Sequence, residues 1–176
     1  NTASGSGITI NANNVEGGRG SSQYGGSIAE YADAIRALNA GGALSITATG
    51  NVDSSVRHGI YAYNKAENYF RTCDPSPCRG VTEEGTATDL TITANNVTGG
   101  TDGINAVNSG AGSLTITANG AVTGGTDDGI FASNTSPDDT TITINAGGSV
   151  STSGTDADDF AIEADAPNGA IIVNNF

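Results

Sequence analysis

Tryptophan and methionine are both absent from this 176-residue chain, and its aromatic rings come to five tyrosines and four phenylalanines. A core without such bulky fillers has to be narrow, built from Ile, Leu, Val and Ala. Basic side chains are nearly as scarce, six against nineteen acids for a formal net charge of -13. All six, Arg19, Arg36, Arg57, Lys65, Arg71 and Arg79, fall in the first 79 positions, where Glu16, Glu30, Asp33, Asp53, Glu67 and Asp74 balance them. Residues 80 to 176 hold the other thirteen acids and no base. Such a surface argues against nucleic acid, whose phosphates need cationic neutralisation, and against an anionic membrane.

No apolar run is long enough to span a bilayer and no signal peptide is visible, so any targeting segment is expected to have been removed or excluded. There are only two cysteines, Cys73 and Cys78, flanking the turn-forming Asp74-Pro75-Ser76-Pro77. With no third thiol, a disulfide between them is expected, contributing about 2 kcal/mol by the chain-entropy relation. The competing reading, a zinc site, lacks a second cysteine pair or nearby histidines. A disulfide points to export. The sole histidine, His58, stands at the start of a strand with no Ser or Cys partner to make a catalytic pair.

What the chain has in quantity is one repeated phrase. Its first strand reads Ile8-Thr9-Ile10-Asn11-Ala12, Leu44 to Ala48, Leu90 to Ala94, Leu114 to Ala118 and Ile142 to Ala146. A lone valine follows each copy (Val15, Val52, Val97, Val122, Val150), then a second strand, Ala34 to Asn39, Gly59 to Asn64, Gly103 to Asn108, Gly129 to Asn134 and a degenerate Ala161 to Ala166. Apolar residues alternate strictly with Thr, Ser or Asn, so each strand has one inward face. Gly-Gly, Asn-Gly and Thr-Asp-Gly clusters between strands are expected to supply positive φ angles at corners.

Three short strands per turn with no helical crossover predict an all-β chain, a right-handed parallel β-helix of about five turns. Its columns are Ile10-Ile46-Ile92-Ile116-Ile144, the valines, and Ile35-Ile60-Ile104-Ile130-Ile162. At about 4.8 Å per strand the rod is about 25 Å long, a single domain over residues 1–176. Ile171-Ile172-Val173 begins a sixth turn, which suggests a piece of a longer protein. Ser27 to Asn39 also fits a capping box with helical spacing at 28, 31, 35 and 38. The alignment of Ala32 to Asn39 with Thr101 to Asn108 favours a strand, with one helical turn allowed near Ser27 to Tyr31 and a helix capping the rod as the alternative.

The Gly-Ile-x-Ala-x-Asn strands, the Leu-Thr-Ile-Thr-Ala-Asn strands and the Val-Thr-Gly-Gly corners resemble passenger domains of bacterial autotransporters, the type V secretion proteins. The resemblance covers nearly the whole chain outside two insertions and is a pattern of repeats, without a catalytic signature. It implies a secreted or cell-surface protein carried across the outer membrane by a C-terminal β-barrel translocator, and commonly an adhesin and virulence factor. Some passengers are instead released and act as soluble ligands of a host-cell receptor.

Function is expected where the period breaks. The insertions run from about 19 to 31 and from 65 to 88, and the second is locally cationic up to position 79, with Lys65, Arg71 and Arg79 against Glu67 and Asp74, and carries Tyr69 and Phe70 beside the cysteines. Aromatic and Arg side chains on a rigid loop have the composition of a recognition surface. Outward positions of the second strands add an apolar stripe, Leu38, Tyr61, Tyr63, Val107 and Phe131, unless the 65–88 loop folds back over it. The binding candidates are therefore Arg57, Tyr61, Tyr63, Lys65, Tyr69, Phe70, Arg71, Arg79 and Phe131, engaging a host-cell surface protein receptor or an anionic glycan, with no cofactor and no metal.

Enzymatic readings fare worse. Asp127-Asp128, Asp138-Asp139 and Asp158-Asp159 are carboxylate pairs of the kind a polysaccharide-active β-helix enzyme uses, but neighbouring positions point apart and no base lies in that half to hold a uronate. They read as solvated turn carboxylates. The Gly-Gly-Thr-Asp corners echo calcium-binding β-rolls only in part, and Asp there more simply bonds its own turn. Asn96 and Asn134 fit N-glycosylation acceptor patterns, idle in a bacterial protein.

Overall fold

A computed structural model describes residues 7–17, 32–65, 68–70, 82–84, 87–137 and 140–176, with the backbone alone for 68–70 and 82–84. Three sheets carry the architecture. The first stacks β1 (Ile8–Ala12), β4 (Gly42–Ala48), β9 (Ala87–Ala94), β12 (Leu114–Ala118), β15 (Thr141–Ala146) and β18 (Ala170–Asn175) in that order. The corner sheet holds β2 (Val15–Gly17), β5 (Val52–Ser54), β10 (Val97–Thr98), β13 (Val122–Gly124) and β16 (Val150–Thr152). The third holds β3 (Ile35–Asn39), β6 (Ile60–Asn64), β11 (Ile104–Asn108), β14 (Ile130–Asn134) and β17 (Ile162–Asp165). Every pairing within these sheets is parallel and joins a strand to its equivalent one coil away. The chain is a parallel β-helix of three strands per turn, and no helix occurs among the described residues.

The register follows the columns read from the repeat. Ile10 faces Ile46, which faces Ile92, Ile116, Ile144 and then Val173. Leu44, Ile46, Ile60, Leu90, Ile92, Ile104, Leu114, Ile116, Ile130, Ile142 and Ile144 have no exposed surface. A buried aliphatic side chain of this size contributes about 1.5–3 kcal/mol over an exposed one. Residues 35 to 39 form the strand rather than a helix, because Ile35 and Ala37 supply the inward pair that β6 requires. The possible helical turn at 27–31 lies outside the described residues. In the sixth coil, Ile171, Ile172 and Val173 are about half exposed at 45, 47 and 50 %.

Glycine has a different task from the one expected. Among the described residues only Gly42 has a positive φ, 71°. The glycines of the Gly-Ile strands are required by close stacking: a Cβ on Gly103 would stand 2.6 Å from both the Gly129 carbonyl oxygen and Val122 Cγ1 of the next coil. Gly59 and Gly129 meet the same obstruction from Val97 and Val150, at 2.5 and 2.8 Å.

Buried asparagines tie the coils at the end of the third sheet. Asn39 donates to Asn64 Oδ1 at 2.8 Å, and Asn64 donates to Asn108 Oδ1 at 3.0 Å. The Asn64 amide also reaches the carbonyls of Thr88 and Asp89, at 3.0 and 3.2 Å. It thereby joins the point where the 65–88 insertion leaves the rod to the point where it returns. That insertion is not simply a loop: β7 (Asn68–Phe70) and β8 (Thr82–Glu84) pair as an antiparallel two-stranded hairpin.

Candidate recognition face and the polar column beneath it

The outward side chains of the third sheet form two ladders. One reads Arg36, Tyr61, Asn105, Phe131, Glu163, and the other Leu38, Tyr63, Val107, Ser133, Asp165, each position paired with the next in register. In the first five coils the first sheet places Thr, Ser or Asn outward, so the aromatic and aliphatic groups here depart from that rule. Leu38 is 53 % exposed, while Tyr61, Tyr63, Val107 and Phe131 are partly covered and Ser133 is buried. The guanidinium of Arg36 lies 4.8 Å from the Tyr61 ring centre, within cation–π range.

Arg57 stands two residues before the glycine that opens this sheet in the second coil, and Lys65 directly after Asn64 is exposed. Of the remaining sequence candidates, Tyr69 and Phe70 fall on β7, where only the backbone is described. Arg71, Arg79, Cys73 and Cys78 lie outside the described residues, as does the first insertion.

Sequence reasoning missed what lies under this face. The residue three places before the outward Arg36, Tyr61, Asn105, Phe131 and Glu163, immediately ahead of the Gly-Ile or Ala-Ile pair, is Asp33, His58, Asp102, Asp128 and Phe160 in successive coils. Asp33, His58, Asp102 and Asp128 are all at least nine-tenths buried. Asp33 Oδ1 accepts from the His58 backbone amide at 3.3 Å, Asp102 Oδ1 from that of Asp128 at 3.1 Å, and Asp128 Oδ1 from that of Phe160 at 2.7 Å. Each carboxylate thus satisfies an amide one coil further on, which is why a charge is tolerated here at all. Asp128 is accordingly not the solvated turn carboxylate expected from sequence, whereas its neighbour Asp127 is exposed.

His58 interrupts the carboxylate column, and its imidazole spans it. Nδ1 lies 2.7 Å from Asp33 Oδ1 and Nε2 lies 3.1 Å from Asp102 Oδ2, so both ring nitrogens face acceptors. Burial opposes the charged ring, but the hydrogen bonds to Asp102 and Asp33 outweigh it and hold the His58 pKa above its usual 6.5. Burial likewise pushes the Asp102 carboxyl up, yet His58 and Asn105 as donors bring it below its usual value. Arg36 secures the other oxygen of Asp33 at 3.0 Å, and Arg57 Nε stands 3.8 Å from Oδ1. The His58 ring also leans on Tyr61, 5.2 Å between centres, so column and face share residues.

Acid crowds the far side. Asp102, Asp127 and Asp128 have carboxylate oxygens within 4.8 Å of one another. The Asp102 oxygens also meet His58 and accept from Asn105 and the Asp128 amide. Burial, with repulsion from neighbouring acids, raises the pKa of Asp127 and Glu163. Burial raises that of Asp128 too, against the Phe160 amide. A hollow of about 580 Å³ sits at the fifth and sixth coils, lined by Val150, Ile162, Val173 and Phe176 together with Ser149 and Asn175. Comparison with protein-family models, with curated proteins and with solved structures finds no match for this chain.

Proposed function

We propose that this β-helix is an exported binding module, an adhesin-like passenger of autotransporter type that presents the outward face of its third sheet to a host-cell surface protein or an anionic glycan. The observation that carries the reading is the pair of ladders in which Arg36, Leu38, Tyr61, Tyr63 and Phe131 replace the repeat's polar outward residues on one side of a stiff rod. Rigid aromatic rings flanked by guanidinium groups recognise partners at low entropic cost. Arg36 is pre-ordered by Asp33 and Tyr61, so little of its freedom remains to be lost on binding. The charge division supports an anionic partner for the early coils, since every basic residue lies before position 80.

A catalytic role finds no support in the one histidine. Both nitrogens of His58 face carboxylates and the residue is only 8 % exposed, which leaves no nitrogen to accept a substrate proton. Export rests on the cysteine pair and the resemblance, and a C-terminal β-barrel translocator in the encoded protein belongs to the same proposal.

The test is binding of the purified chain to host cells and to an immobilised sulfated glycan, beside Arg36→Ala and Tyr61→Ala. Binding that both variants weaken at least about tenfold, one hot-spot contact of ~1.4 kcal/mol, supports the face. Undiminished binding by both would move recognition elsewhere.

A further inference from the structure

The polar column gives the rod a property separate from whatever its face binds. We propose that His58 is a proton-held clamp: as an imidazolium it ties the first coil to the third, and on losing its proton it loosens the first coil and the Arg36–Tyr61 corner with it.

The geometry is that of a bridge. Asp33 precedes β3 in the first coil, His58 precedes β6 in the second, and Asp102 precedes β11 in the third, and the imidazole touches both acids at 2.7 and 3.1 Å. A charged ring donates from both nitrogens, so both contacts are hydrogen bonds of the charge-assisted kind. A neutral ring has one N–H and one lone pair. Whichever tautomer forms, that lone pair faces a buried carboxylate, and one of the two contacts turns from attractive to repulsive.

Every charged group facing the ring has its own place in the account. Asp33 keeps Arg36, Arg57 and the His58 amide as partners when the ring is neutral, and Asp102 keeps Asn105 and the Asp128 amide. These contacts persist whichever form the ring takes, so the ring is the group whose contacts change. Asp127 and Asp128 crowd Asp102 from the fourth coil and add negative potential, which favours the charged ring.

The sign follows from the raised pKa. The stabilisation is fully present below the ordinary histidine value of 6.5, and it disappears as pH rises through the higher folded-state value. The first coil is therefore clamped in mild acid and loosened in alkali.

The amides of Ala34 and Ile35 report directly, because they donate to the carbonyls of His58 and Gly59 at 3.1 and 2.9 Å. Hydrogen exchange at these amides, corrected for intrinsic rate, is to be compared between about pH 6 and pH 9 with that of Ile130, while NMR follows the His58 ring nitrogens. A loss of protection of about tenfold or more at Ala34 and Ile35, tracking the ring titration and absent at Ile130, supports the clamp; tenfold is what one pKa unit conveys. A flat profile, or an equal loss in His58→Gln, overturns it. Should His58→Gln fail to fold, Asp102→Asn keeps an acceptor while removing the charge. It is expected to move both the ring titration and the exchange transition to lower pH together, and an exchange transition that stays put while the ring shifts overturns the clamp.

Discussion

Asn64 Nδ2 donates to Asn108 Oδ1 at 3.0 Å across 44 positions of sequence, while Asn64 Oδ1 accepts from Asn39 at 2.8 Å. Three coils are thus joined through one side chain with no exposed surface.

Replacing it removes a shared partner from both neighbours. Asn64→Ala is expected to lower unfolding free energy by about 1–3 kcal/mol, the range for stranding buried polar groups. Asn39 retains the Gly42 carbonyl and Asn108 retains the Gly112 carbonyl, which keeps the loss from growing larger. Thr115→Ala on the outward face of the first sheet should stay within about 0.5 kcal/mol. Chemical denaturation of the two variants checks the contrast, and equal effects would deny the ladder its role.

Stacking makes Gly103 intolerant of even a methyl group. Gly103→Ala has to displace a backbone carbonyl at 2.6 Å as well as Val122, and overpacking of this kind costs about 1–3 kcal/mol. Because φ at Gly103 is not positive, the penalty is steric and not conformational. Trimming the obstructing side chain with Val122→Ala relieves only part of it, since the Gly129 carbonyl stays in place. A double variant in which the two losses simply add would contradict that coupling.

The acidic coils behave in the opposite sense from most carboxylates. Asp127, Asp128 and Glu163 have raised pKa values. Their protonation favours the fold, with the benefit complete below the usual 3.8 of Asp and 4.5 of Glu and lost as pH rises through the raised values. Asp102 is lowered, so its contribution holds above 3.8 and is lost as pH falls through its folded-state value. The fourth and fifth coils should therefore be most protected in weak acid, between those limits. Exchange at Ile104 and Ile130, whose amides donate to Gly129 and Ala161, should slow after correction as pH drops from about 6 toward 5. Replacing Asp127 by Asn should reproduce part of the gain at pH 7.

On the recognition face, Leu38 at 53 % exposure is the freest of the apolar residues. Leu38→Asp adds a negative charge beside Arg36 without emptying the core. It is expected to weaken an anionic partner by about tenfold or more while shifting stability by about 0.5 kcal/mol or less. Titration calorimetry against a sulfated oligosaccharide, with melting temperature in parallel, distinguishes lost recognition from lost folding.

How far sequence reaches depends on whether a feature repeats. The Ile and Val columns were legible because alternation and period fix register, and a slip of one residue would turn Ile46 or Ile104 outward. The stripe was legible by the same rule, as an exception to it. The buried column was hidden because its members differ in kind: Asp33, His58, Asp102 and Asp128 share a position in the repeat but not a residue type, and His58 in isolation names no partner. Aligning the coils on the Ile of the third sheet is the signal that reaches it. The glycines misled because a positive φ and a close neighbour both demand Gly, and only the stacked backbone tells them apart. The antiparallel pairing of β7 with β8 lies within an insertion where no repeat exists to be read.

One consequence follows from the amide of Asn64 closing on the Thr88 carbonyl at 3.0 Å. Both ends of the 65–88 excursion meet at the same buried side chain, so a change in what lies between them is expected to leave the rod's form intact. Doubling the length of such a span costs only about 0.6 kcal/mol in closure entropy. For an engineer displaying a peptide, the excursion is the place where foreign content is expected to disturb the inherited rod least.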